Sequence, residues 1–146
     1  MKTLSKKELS RMFDWVGKFN EGLAPAKKDG ECLHINRRGE PAYGQRYENV
    51  GDFSEGLAQV ETKDGEWLHI NRRGEPAYEK RYNFTASFSE GLAPASEDGK
   101  SFHIHTNGNP AYKQRFDWVY GFKEGLASVK KDGKWFNIGP DGTKVD

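Results

Sequence analysis

Apolar and polar residues alternate on a period of two in four short segments: CLHI at 32–35, WLHI at 67–70, SFHI at 101–104 and WFNI at 135–138. Such alternation predicts β-strands with two unlike faces. Leu33/Ile35, Leu68/Ile70, Phe102/Ile104 and Phe136/Ile138 make one apolar face. Cys32/His34, Trp67/His69, Ser101/His103 and Trp135/Asn137 make the other. A short strand precedes each of them (LAPA, LAQV, LAPA, LASV), joined to it by an Asp-Gly turn at 29–30, 64–65, 98–99 and 132–133. Two strand signals around Asp-Gly predict a hairpin. The aromatic segment FDWVGKF at 13–19, echoed as YENVGDF, YNFTASF and FDWVYGF, predicts a third strand.

The same signals return at a fixed step. EGLA occurs at 21–24, 55–58, 90–93 and 124–127, in steps of 34, 35 and 34 residues. Phe19, Phe53, Phe88 and Phe122 keep that step, and the turn glycines Gly39, Gly74, Gly108 and Gly142 nearly so. The string LHINRRGEPAY stands unchanged at 33–43 and 68–78. A period of this length is the mark of a repeat architecture. The extra residue of the second unit lies in its ETKDGE hairpin tip, which predicts a bulge or longer turn there. Four units follow, at about 13–36, 47–71, 82–105 and 116–138, joined by connectors with Pro41, Pro76 and Pro110.

The expected fold is therefore all-β: four tandem three-stranded antiparallel meanders, stacked as an open twisted array, with a closed four-bladed propeller-like ring as the alternative. Residues 1–12, with Leu4, Leu9 and Met12, are expected to form a short capping helix, as terminal caps do in repeat arrays. Pro25 and Pro94 are expected at an unpaired strand edge.

Composition narrows the picture. Leu, Ile, Val and Phe total 27 of 146 residues, a low figure, but nineteen aromatics supply the core instead. Formal net charge is +1, from 23 basic and 22 acidic residues, which argues against a nucleic-acid or anionic-membrane partner. The single Cys32 forms no internal disulfide. MKTLSKKELSRMF lacks an apolar signal-peptide core, and no segment reaches membrane-span length, so a cytoplasmic location is expected.

Phe-x-Glu-Gly-Leu-Ala, an Asp-Gly-Lys turn, Trp-x-x-Ile and a Gly turn, repeated in phase, resemble the bacterial WG (KWG) repeats. FSEGLAQV…DGEWLHIN at 53–71 and FKEGLASV…DGKWFNIG at 122–139 carry the resemblance best, and it spans Phe13 to Val145. The Gly expected after Trp is Leu68 or Phe136, and Cys32 and Ser101 stand where Trp would be, so the chain is similar to a variant branch with W-F/L-H-I strands. The resemblance implies a β-rich interaction module with no catalytic residues to carry over.

Candidate site residues follow from the repeat. Trp67 and Trp135, with His34, His69, His103, Tyr43, Tyr78 and Tyr112, are the expected binding surface. The alternation of Cys32 and Ser101 with those tryptophans also suits steric compensation between adjacent hairpins. His103 and His105 at i and i+2 suggest a metal pair, but no Cys or carboxylate completes a ligand set. Arg46, Arg81 and Arg115 are expected to pair with Glu21, Glu55, Glu90 and Glu124, bracing one unit on the next. Arg37-Arg38 and Arg72-Arg73 read as solvated turns. No nucleophile–base spacing or phosphate loop is present, so no enzyme activity and no cofactor are expected. The leading expectation is a protein-interaction scaffold. A carbohydrate-binding module is the alternative, and a metal-linked binder a weaker one.

Overall fold

A computed structural model describes residues 2–145. The first unit holds β1 (Trp15–Val16), β2 (Ala24–Lys28) and β3 (Glu31–Ile35); the second β4 (Asn49–Val50), β5 (Ala58–Glu61) and β6 (Trp67–Ile70). The third holds β7 (Phe84–Thr85), β8 (Ala93–Glu97) and β9 (Lys100–Ile104). The fourth holds β10 (Trp118–Val119), β11 (Ala127–Lys131), β12 (Lys134–Ile138) and β13 (Lys144–Val145). Each unit is its own antiparallel sheet in chain order, and each meets the next through its third strand and the following first strand. The array is open: the first and last sheets do not close into a ring. Among the described residues no helix is long and apolar enough to cross a membrane.

The turns explain the short first strands. Glu21-Gly22, Glu55-Gly56, Glu90-Gly91 and Glu124-Gly125 all have positive φ, and Asn20↔Leu23 and its three counterparts bridge across them. Two left-handed residues in a row make a type I′ hairpin turn, so EGLA is a turn rather than a strand start. Asp29-Gly30, Asp98-Gly99 and Asp132-Gly133 turn the same way. The longer second tip instead closes by Thr62 N–H to Glu66 C=O, with only Gly65 left-handed. The inserted residue thus changes the turn and shortens the ladder to four pairs, Ala58↔Ile70 to Glu61↔Trp67, against five in each other unit.

β2, β5, β8 and β11 are the middle strands, so Pro25 and Pro94 do not lie at an edge as their chemistry suggested. Pro94 is tolerated because the carbonyl opposite it, that of Ala86, is already occupied by a histidine of the preceding unit. A proline has no N–H to compete for it.

Helix α1 (Lys6–Met12) starts at a capping box, with Ser5 Oγ accepting from Glu8 N–H and Glu8 accepting from Ser5 N–H. Leu9 is buried, and Leu9 and Met12 lie over Gly39. Tyr43, Tyr78 and Tyr112 lie over Gly74, Gly108 and Gly142 in the same way. The helix therefore covers the first unit as a preceding unit's tyrosine would.

Candidate functional site

Both faces of each inner sheet are covered, one by the unit before and one by the unit after. The isoleucine face looks back: Phe102 packs edge-on against Tyr82 and Phe136 against Phe116, and these two bridge to Trp67 and Ser101 in the last strand of the preceding unit. The histidine face looks forward. His34, His69 and His103 have no solvent exposure, and each ring lies 4.5 Å, centroid to centroid, from Phe53, Phe88 or Phe122 of the next unit.

Their hydrogen bonds fix the tautomer. Nε2 lies 2.6, 2.8 and 2.7 Å from the carbonyl oxygens of Gly51, Ala86 and Tyr120. A carbonyl only accepts, so Nε2 carries the proton. Nδ1 then accepts from the hydroxyls of Tyr43, Tyr78 and Tyr112, each at 2.6 Å. Burial pushes all three imidazoles down from 6.5 to about 4, and it raises the three phenols well above 10.

This corrects the expected binding surface. His34, His69, His103, Tyr43, Tyr78 and Tyr112 are interior locks between units and present nothing to a partner. A strand alternating apolar and polar residues suggests one wet face; here the stacking of units buries both. The metal reading fails on the same geometry, since both nitrogens of each lock are engaged. His105 lies beyond the end of β9, exposed in a turn, and does not join His103.

The Arg–Glu pairing is also corrected. Arg46, Arg81 and Arg115 donate to carbonyls of their own connectors, as Arg46 Nη1 does to Tyr43, Gly44 and Gln45. The glutamates instead form a ladder along the array. Glu21 accepts from Gly56 N–H, Glu55 from Glu90 and Gly91 N–H, and Glu90 from Glu124 and Gly125 N–H. A left-handed Glu-Gly turn exposes two adjacent N–H groups, and the carboxylate one unit back satisfies them.

Most residues of LHINRRGEPAY now have a structural task. Leu and Ile fill the core, His and Tyr lock, Asn71 Oδ1 accepts from Arg73 and Glu75 N–H, and Gly seats the previous tyrosine. Arg73 pairs with Glu75, and Arg72 reaches the carbonyl of Glu21.

Four in-phase units with these shared locks are now established, and a WG containing repeat matches at residues 9–32, 35–67, 70–100 and 104–135. The chain belongs to the WG-repeat family. No curated protein matches it. Among solved structures, this WG-repeat chain is similar to BamB from Moraxella catarrhalis, at 12% identity and TM-score 0.57, covering 90% of this chain and 51% of that one. It is similar to the computationally designed Ika4 protein at 16% identity and TM-score 0.56, covering 85% and 88%. A third is KlHsv2 with loop 6CD replaced by a Gly-Ser linker, at 11% identity and TM-score 0.61, covering 90% and 51%. The chain thus spans about half the length of the first and third. These neighbours are β-propeller-like, and the likeness concerns the fold alone.

The last WG unit breaks the pattern on its histidine face. Asn137 replaces histidine and is exposed, and Tyr120 replaces the small residues Gly17, Gly51 and Ala86. Trp118 and Trp135 flank Lys130 on that face, by the registers Trp118↔Lys130 and Lys130↔Trp135. Tyr120 stacks on Trp135 at 5.5 Å and 16°, and Trp118 meets Tyr120 edge-on. Trp118, Tyr120 and Trp135 are 45%, 55% and 51% exposed. Trp67, by contrast, is half-buried against Phe84. The two tryptophans that the sequence grouped together are therefore unlike: Trp67 fills a space between sheets, and Trp135 stands open. Trp118 and Tyr120 were missed as site residues. The signal was Tyr120, the one bulky residue at a position otherwise Gly or Ala.

Proposed function

We propose that this WG-repeat chain is a non-catalytic module that recognises another protein through the histidine face of its last sheet. The carrying observation is the concentration of exposed apolar side chains there. Of the eight exposed large hydrophobics among the described residues, five (Trp118, Tyr120, Leu126, Trp135 and Val145) belong to the fourth unit. A contiguous patch of aromatic rings on one face is the composition of a protein–protein contact. Every other histidine face is covered by a following sheet, and Asn137 and Tyr120 suit this one to a different occupant.

Affinity capture from the native host's lysate tests the reading, with a Trp118→Ala, Trp135→Ala double variant and a Trp15→Ala control. Trp15 is equally exposed but lies at the opposite end. A partner retained by the control and lost with the double variant supports the reading. A partner set that is the same for all three baits contradicts it.

A further inference from the structure

Between the third and fourth sheets a cleft of about 210 Å³ opens beside the aromatic face. Phe84 and Trp118 flank it, Pro94, Ala95 and Ser101 line it, and Tyr120 continues it toward Trp135. Its origin is a single repeat position. In the second unit Trp67 reaches Phe84 of the next sheet, at 5.0 Å between centroids. In the third unit that position is Ser101, whose side chain leaves the space before Trp118 unfilled.

We propose that this cleft and the adjoining rings bind a proline-rich segment flanked by acidic residues. The inference rests on the protein-recognition reading above and names the chemistry of its partner. Three observations carry it. The first is that the walls are almost wholly apolar, so a ligand with ordinary backbone N–H groups would bury them without acceptors. Proline has no such group, and an extended proline helix is already ordered before it binds.

The second is the ring arrangement. Phe84, Trp118, Tyr120 and Trp135 succeed one another along the surface, with Trp118 and Tyr120 set 80° apart. Ridges of aromatic rings with a trough between them are the surface on which proline rings dock. A sugar would require polar groups in the trough, and its lining offers few.

The third is charge. Asp117 is paired with Lys100 and Glu97 with Lys80, whereas Lys130, between Trp118 and Trp135, forms no ion pair among the described residues. Lys100 and Lys130 thus share the one carboxylate of Asp117, so the charge beside the cleft is positive in balance and complements a carboxylate on the ligand.

Calorimetric titration of the full chain with the synthetic peptide Glu-Glu-hexaproline tests this, with Lys-Lys-hexaproline, Glu-Glu-hexaalanine and cellohexaose as the other titrants. Circular dichroism first checks that each variant is folded. The proposal predicts binding of Glu-Glu-hexaproline alone, a loss of at least about tenfold with Trp118→Ala, and a preference for the Lys-Lys peptide with Lys130→Glu. Absence of binding to Glu-Glu-hexaproline, equal binding of the alanine peptide, stronger binding of cellohexaose, or indifference to Trp118→Ala overturns it. A protein captured from lysate through Trp118 and Trp135, together with silence toward the peptide, leaves the module reading standing and removes the proline one.

Discussion

The hydroxyl of Tyr43 lies 2.6 Å from Nδ1 of His34, and the same tyrosine ring covers Gly74 one unit further on. One side chain thereby ties two successive units. Tyr78 and Tyr112 repeat the tie on Gly108 and Gly142.

Tyr78→Phe keeps the ring over Gly108 and removes only the hydroxyl. Nδ1 of His69 is then a buried acceptor without a donor, which costs roughly 1–3 kcal/mol. Urea unfolding is expected to show that loss with an unchanged slope.

Acid acts on the same locks. Each histidine has a folded pKa of about 4 against 6.5 when unfolded, so between these values the unfolded chain binds more protons. Stability is full above pH 6.5 and falls as pH drops toward 4. At pH 5 the loss is roughly 2 kcal/mol per histidine. The melting temperature is expected to decline steeply from pH 6.5 to 4.5, and less steeply in a His69→Gln variant, which starts lower.

Gly74→Ala meets two obstacles. Its φ is +80°, and the added Cβ would stand 2.6 Å from Cβ of Tyr43. A loss of roughly 2–4 kcal/mol is expected by thermal or chemical unfolding. Gly44→Ala, with open space around it, is expected to change stability by less than about 0.5 kcal/mol.

Thr85 carries a buried hydroxyl without a hydrogen-bond partner, where the other units have Val16, Val50 and Val119. Thr85→Val is expected to stabilise the protein by about 1 kcal/mol.

Much of this fold is written in the chain. The period, the strands, the helical cap and the second unit's altered turn are all legible, because turn chemistry and alternation are local. What interunit packing decides is not. His34, His69 and His103 look like a wet face when one sheet is considered alone. Glu21, Glu55 and Glu90 look like partners for arginine until the left-handed turns are seen to expose N–H groups toward them. Pro25 and Pro94 look like edge residues because the sequence does not reveal that their strands lie in the middle of their sheets, nor that His69 takes the carbonyl opposite Pro94. The open aromatic face is the converse case: Tyr120 and Asn137 depart from the repeat, and only the stacking shows that the departure falls on the uncovered sheet.

Nitrogen-15 NMR of the histidine rings from pH 8 to 5 tests the interlocked array most directly. The account predicts three imidazoles that stay neutral with the proton on Nε2 throughout the folded range. Titration of the three lock rings near pH 6.5, or a proton on their Nδ1, would contradict it.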